Sequence, residues 1–301
     1  MLAIVITYFK LTFFEATLQS LVNQTNKKFK VYIGNDASPE NPSVLLEKYK
    51  PQLDFNYQQF DNNLGSVSLV KQWERCMNFI GDEQWVIILG DDDTLSENCV
   101  ELFYQNVNKA EMHNCDVIRF ATKVIDEKGK AISNLHIHPE IENSVDFLFR
   151  KIKGGTRSSL SEYVFKKNDI SNIGFKNFPL GWHSDDLAVL EFSKFKNIYT
   201  INSSTVFVRL STLNISGMSD NLKQKNIATF KFYHYLLFDK ATFFSKAQRE
   251  LIFFRFEKSF MNDKKNLYFW SQLIGTYFKN LEIKRFFRLL ANSFKTIKLN
   301  K

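Results

Sequence analysis

Within residues 1–90, three short apolar runs each break off at a polar or acidic turn: LAIVIT, FKVYIG and QWVIIL. Apolar runs of this length, rich in Val and Ile, read as buried strands. Between them lie stretches with apolar residues at helical spacing. FFEATLQSLVNQ carries Phe14, Leu18, Leu21 and Val22, and PSVLLEKYK has Pro42 near its start, where proline is tolerated. LDFNYQQF alternates like a third strand, and SVSLVKQWERCMNFI is the helix before QWVIIL. SENCVELFYQNV follows as a helix with Ser96 as its N-cap, then CDVIRFAT as a strand. This succession predicts an α/β chain with a mostly parallel central sheet covered by helices on both faces.

In such a sheet, ligands bind outside the carboxyl ends of the strands. Two strands end there in acidic turns: YIGNDAS at Asn35-Asp36 and IILGDDD at Asp91, Asp92 and Asp93. Three adjacent carboxylates repel one another unless a cation or a donor-rich ligand compensates them. Hard divalent ions take such oxygens, and Mg²⁺ is often held by one or two carboxylates plus substrate phosphates. A solvated acidic turn is the competing reading, and the position at a strand's carboxyl end favours the ion. Asp36 suits either a contact to a nucleotide's base or ribose, or an Asx turn.

Farther along, KVIDEKGKAI reads as a hairpin around Lys128-Gly129, SEYVFKK as a strand, and IYTINSSTVFVRL as one or two strands. WHSDDLAVLEFSKF places Asp185 and Asp186 in the first turn of a helix, where the helix dipole favours acid. One member of such a pair can act as a general base. His183 suits a ligand or acceptor contact or, as a lone histidine more often does, packing or surface, and His136 and His138 lack metal-site spacing. Arg209 ends STVFVRL, where its fork of donors suits a phosphate. The spacings of a P-loop, a GxGxxG turn and a GxSxG elbow are all absent.

Cys76, Cys99 and Cys115 form no CxxC pair, which argues against a disulfide framework or a cysteine zinc site and fits a reducing compartment. No run approaches ~20 apolar residues, so no membrane-spanning helix is expected. The start, MLAIVITYF, lacks the basic n-region of a signal peptide, so a cytoplasmic chain is expected. Charge is divided unevenly. Residues 1–220 carry 23 basic and 27 acidic side chains, and residues 221–301 carry 17 and 5. The excess therefore belongs to the end of the chain, where FYHYLLF, LIFFRFEKSF, LYFWSQL and RFFRLLANSFK interleave aromatic and basic residues at helical spacing. Such helices either pack on one another or rest on an anionic membrane surface. A uniformly basic nucleic-acid binder would look different, and no nucleic-acid partner is expected.

Taken in order, IVITYF, TLQSLVNQT, FKVYIGNDAS, NNLGSV, WVIILGDDDTL, SDDLAVL and VRLSTLNISG resemble the family-2 inverting glycosyltransferases with the GT-A fold, over roughly residues 1–217. The resemblance implies a GT-A-like nucleotide-sugar-binding catalytic domain over 1–220, with 221–301 as a basic, aromatic-rich helical extension. It implies that Thr7 lines the nucleotide pocket and that Asp36 contacts the base. Asp91, Asp92 and Asp93 match the DxD region, which binds ribose and a Mg²⁺ or Mn²⁺ ion bridging the donor diphosphate. Asp91 is then the donor contact, and Asp92 and Asp93 are the metal ligands, Asp92 first. Asp186, or failing it Asp185, matches the base that deprotonates the acceptor hydroxyl. Arg209 and Ser216 match the later diphosphate-contacting segment. Three positions depart from the family pattern: Asn35 and Gly90 stand where aspartates are usual, and Ser211 stands where a histidine often follows.

The expected partners are a UDP- or GDP-sugar donor and a saccharide or lipid-linked saccharide acceptor, in the synthesis of a surface polysaccharide. The chain is expected in the cytoplasm, at the inner face of the cell membrane if 221–301 rests there. Two other classes stay open: a nucleotidyltransferase of sugar phosphates, and a non-catalytic protein binding membrane or nucleic acid. The first lacks its Gly-rich, basic loop after the first strand, and the second leaves the acidic edge unexplained.

Overall fold

The computed structural model describes residues 1–298, with side chains through Ala291; the end of the 221–301 extension lies outside the described residues. The elements run β1 (Leu2–Tyr8), α1 (Phe14–Val22), β2 (Phe29–Asn35), α2 (Ser43–Tyr49), β3 (Phe55–Gln59), α3 (Leu69–Met77), β4 (Trp85–Gly90), β5 (Thr94–Leu95), α4 (Cys99–Met112), β6 (Val117–Ile125) and β7 (Ile141–Asn143). They continue with α5 (Ser144–Ile152), β8 (Tyr163–Lys166), α6 (Lys167–Ile173), α7 (Ser184–Phe192), β9 (Asn197–Arg209), α8 (Leu222–Phe238), α9 (Lys246–Asn262), α10 (Leu267–Lys279) and α11 (Ile283–Lys298).

The strands form one sheet in the order β3-β2-β1-β4-β8-β6-β9-β5, with β7 also on β9. β1 to β4, β6 and β9 run one way; β5, β7 and β8 run the other. The side-chain period of two explains why β1 is apolar throughout. Leu2, Ile4 and Ile6 pack on one face with Phe14 and Leu18 of α1, and Ala3 and Val5 pack on the other with Val70 and Trp73 of α3.

The chain divides into two compact units. The first comprises Met1–Asn177 and Ser184–Met218, and the second Phe178–His183 and Ser219–Lys301. In the second unit, many of the aromatic residues are core. Phe230 stacks on Phe269 at 3.7 Å between ring centroids and on Phe256 at 4.6 Å, and His183 stacks on Phe232 at 4.7 Å. No helix among the described residues is long and apolar enough to cross a membrane.

One local expectation needs correction. Ser96 does not cap α4: the cap position is Asn98, and the Ser96 hydroxyl instead accepts the N–H of Thr205 at 3.0 Å, next to β5. IYTINSSTVFVRL is one strand, with its pairing to β6 shifted after Phe120. The KVIDEKGKAI turn has the expected form, with Gly129 at φ 78° and the Gly129 N–H donating to the Asp126 carbonyl at 3.0 Å.

Candidate active site

The parallel register aligns three strand ends. Thr7 of β1 lies beside Gly34 of β2 and Gly90 of β4, so the turns carrying Asp36 and Asp91 leave the sheet at one level. Thr7 is partly buried there. Asp91 Oδ2 accepts the N–H groups of Phe9 at 2.7 Å and Lys10 at 2.8 Å, which ties the turn after β4 to the loop after β1.

Asp36 is buried and held from three sides. Its carboxylate accepts the N–H of Leu64 at 2.7 Å and of Gly65 at 2.8 Å, and pairs with Arg75 of α3. Burial pushes the Asp36 carboxyl up, against the Gly65 and Leu64 amides and the Arg75 charge, which pull it down. This contact explains the NNLG stretch before α3. A Cβ at position 65 would fall on Asp36 Oδ2, so only glycine lets the loop amides close on the carboxylate.

The triple aspartate divides its labour. Asp93 is buried with both oxygens engaged: Oδ1 accepts the Arg209 N–H at 2.8 Å and Oδ2 accepts the Ser161 hydroxyl at 2.5 Å. Asp92 is partly exposed, and the one hydrogen bond that another described residue donates to its carboxylate comes from Asn214 Nδ2 at 3.1 Å. Burial and then the neighbouring Asp92 charge push Asp91 and Asp93 each up to about 7, and burial raises Asp92 as well. The cluster is thus short of positive charge. Gly90 also has a steric reason, because a Cβ there would stand 2.7 Å from Asp92 Oδ1.

Sheet register explains which distant residues arrive. β8 pairs antiparallel to β4 with Ile87 opposite Val164, and continuing that register sets Ser161 opposite Gly90. β5 pairs antiparallel to β9 with Thr94 opposite Phe207, which sets Arg209 opposite Asp92. Arg209 is buried there. Its Nε donates to the Asp92 carbonyl at 2.9 Å, its Nη1 donates to the Asp126 carbonyl at 2.7 Å, and its guanidinium lies over the Phe13 ring at 4.5 Å. Arg209 thus organises backbone around the aspartates, and Nη2 donates no hydrogen bond to the described residues. Ser216 lies exposed in the loop after β9, two residues beyond Asn214. Lys10 Nζ donates to the Leu213 carbonyl and joins the same loop to the end of β1.

Asp185 and Asp186 occupy the first turn of α7. Asp186 is buried and pairs with Lys151 of α5, whereas Asp185 is partly buried. Burial alone would lower the Lys151 ammonium; the Asp186 and Asp185 carboxylates outweigh it and hold it above the ordinary lysine range. Glu162 lies nearby in electrostatic terms, raising Lys151 in the same sense. It is fully buried, accepts the Ser159 N–H at 3.1 Å, and faces Arg157 at 3.7 Å. Burial pushes Glu162 up to about 7 against the charges of Arg157, Arg119 and Lys151.

Sequence reading missed Lys151, Ser161, Asn214, Arg75 and Glu162. Asn214 lies within the VRLSTLNISG stretch, and for the others a capping-box spacing, Ser159 to Glu162, was the one local signal. His138 has no metal-site setting: its Nδ1 is 2.6 Å from an Arg150 nitrogen, and burial and then the Arg119 charge push the ring down to about 2.

A divalent ion can be tested against this donor set. No three His, Cys, Asp or Glu side chains converge as a cage among the described residues. The least engaged carboxylate of the cluster, that of Asp92, stands at the open edge beside two carboxyls that burial has raised. One such oxygen donor fits an ion shared with a ligand's phosphates rather than one caged by protein alone.

No curated protein matches the chain. Solved structures do match its fold. That of S. aureus TarS 1–349 in complex with UDP-GlcNAc has a TM-score of 0.64 at 15% identity, over 87% of this chain and 72% of that one. The same protein in complex with UDP has a TM-score of 0.60 at 15% identity, over 88% and 73%. The family model described as glycosyl transferase family 2 matches residues 2–167, which span β1 through β8 and the aspartate cluster. With this match over more than half of its length, the chain belongs to glycosyl transferase family 2.

Proposed function

We propose that this glycosyltransferase moves a sugar, with inversion, from a nucleoside-diphosphate sugar to a hydroxyl of a saccharide or lipid-linked saccharide, in building a surface polysaccharide. The observation that carries the reading is the alignment of Thr7, Asp36 and the aspartate cluster at one sheet edge, with Arg209 drawn to the same turn. UDP is the preferred nucleotide, because TarS, which shares the fold, was solved with UDP and UDP-GlcNAc.

In this reading Asp36 and Thr7 receive the base and Asp91 the ribose side of the donor. Arg209 and Ser216 face the diphosphate. Asp92 and Asp93 would hold Mg²⁺ or Mn²⁺ together with the donor's phosphates, Asp92 first, because each Asp93 oxygen already accepts a hydrogen bond. When bound, the ion would stabilise the negative charge that gathers on the departing diphosphate. Asp186 takes the proton of the acceptor hydroxyl as the hydroxyl oxygen attacks the anomeric carbon and the bond to the diphosphate breaks. Lys151 pairs with the Asp186 carboxylate and holds it in place for this step. Attack opposite the leaving group inverts the anomeric centre. The division into a catalytic domain over 1–220 and an extension over 221–301 belongs to the same proposal, and so does a resting place for that extension on an anionic membrane.

The test is thermal unfolding of the full chain with UDP or GDP, with and without Mn²⁺, followed by a panel of nucleotide sugars scored for donor hydrolysis. Stabilisation by UDP that grows with Mn²⁺ supports the reading. No response to either nucleotide overturns it.

A further inference from the structure

The second unit carries apolar surface that its own core does not use. On α10, Leu267, Ile274 and Phe278 are seven and four residues apart, which places them on one stripe of the helix. Their relative exposures are 82%, 42% and 55%. The residues opposite them, Phe269, Leu273 and Tyr277, are buried against the rest of the unit. Past the helix end Leu281, at φ 58°, and Ile283 and Phe287, one turn apart on α11, are also exposed, and the Phe286 ring between them lies 6.4 Å from that of Phe278 and 5.7 Å from that of Phe287. Thus the aromatic content divides: one face of α10 is core and the other is bare.

Charge decides what could cover that bare face. Lys265, just before α10, and Lys279, Lys284 and Arg288 on the two helices are exposed, the Lys279 ammonium lying 3.8 Å from the centre of the Phe238 ring. Over residues 264–291 the one acidic residue is Glu282. Arg285 is set apart from this group, because Glu257 and Glu250 hold it. An apolar stripe flanked by cations that pair with no carboxylate among the described residues complements a surface with anionic headgroups outside and acyl chains beneath. A second copy of the chain would instead bring these cations together with their own equivalents, which is repulsive. No described helix can cross a bilayer, so contact along the surface is the geometry available.

We infer that the α10–α11 face, centred on Phe278 and Phe287 and flanked by Lys279, Lys284 and Arg288, is the surface by which this chain lies on an anionic lipid bilayer. The inference rests on the membrane reading of the 221–301 extension and names the face that carries it. The apolar side chains enter the headgroup–acyl boundary while the basic ones stay at headgroup level. The same placement would keep the enzyme at the surface where lipid-linked acceptors reside.

The experiment is cosedimentation of the full chain at low salt with vesicles of phosphatidylcholine and phosphatidylglycerol in about equal parts, against vesicles of phosphatidylcholine alone. Two variants are compared: Phe278→Ser with Phe287→Ser, and Lys279→Gln with Lys284→Gln and Arg288→Gln. All five side chains are exposed, so both variants should keep the wild-type unfolding temperature, which is measured alongside. The expected result is binding to the anionic vesicles alone, reduced about tenfold or more in each variant, with added salt weakening the wild type. Failure of the wild type to bind overturns both the face and the membrane reading. Wild-type binding that neither variant reduces overturns the face and leaves the membrane reading to another part of the extension. If light scattering finds a dimer that the phenylalanine variant dissociates, a second copy covers the stripe and the inference fails.

Discussion

The carboxylate of Asp93 accepts the backbone N–H of Arg209 at 2.8 Å, across 116 residues of chain. That bond closes the turn after β4 onto the end of β9, and the Ser161 hydroxyl holds the other oxygen. Asp93 is thereby a fixed post beside the more open Asp92, and the two should respond differently to the same substitution.

Asp92→Asn should leave the unfolding temperature nearly unchanged and lower Mn²⁺-dependent transfer by about 10²-fold or more. Asp93→Asn should lower the unfolding temperature by several degrees, because an amide cannot accept from both Arg209 and Ser161 as the carboxylate does. Turnover of Asp92→Asn that matches wild type at saturating Mn²⁺ would sink the metal assignment.

Asp186→Asn should still bind UDP with Mn²⁺ but lose transfer by about 10²-fold or more, the usual weight of general-base catalysis. Asp185→Asn should cost less. The measurement is transfer rate beside UDP-induced thermal stabilisation for each variant. A larger loss in Asp185→Asn would move the base to the more open of the two carboxylates.

Gly65→Ala tests the closing of the NNLG loop on Asp36. The added Cβ meets Asp36 Oδ2, so the two amide bonds to the carboxylate lengthen or break. We expect a destabilisation of about 1–3 kcal/mol and weaker UDP binding together. Differential scanning calorimetry and a UDP titration check both, and an unaltered unfolding temperature would show that the loop relaxes freely.

Glu162 is raised from the ordinary 4.5 to about 7 by burial. A carboxyl raised in the folded state favours folding while it is protonated. Its contribution is full below pH 4.5 and is lost as pH rises through about 7. Glu162→Gln keeps an acceptor for the Ser159 N–H but cannot ionise. Its stability relative to wild type should therefore improve between pH 4.5 and about 7, by on the order of 2 kcal/mol at the upper end. Urea unfolding across that window gives the difference, and a pH-independent gap between the two proteins would contradict a buried, raised Glu162.

Strands β1, β2 and β4, helices α1 to α4 and the acidic ends of two strands were legible in the chain alone. They depend on local pattern: continuous apolar runs, 3.6-residue spacing, and carboxylates just past a strand end. The motif order from TLQSLVNQT to GDDD carried the family for the same reason. What the tertiary structure decided is the work of each carboxylate. The sequence presents Asp91, Asp92 and Asp93 as equals. The pairing of β8 with β4 and of β5 with β9 brings Ser161 and Arg209 to Asp93, and leaves Asp92 the open one. Lys151 meets Asp186 only because α5 packs beside α7. The aromatic chain end shows the same limit. Helical spacing reads identically for Tyr277 and Phe278, and only the packing of α8 and α9 against one side of α10 buries the first and exposes the second. Local pattern follows from each residue's own backbone preferences and polarity. Engagement and exposure depend on partners tens of residues away, which no short stretch of sequence contains.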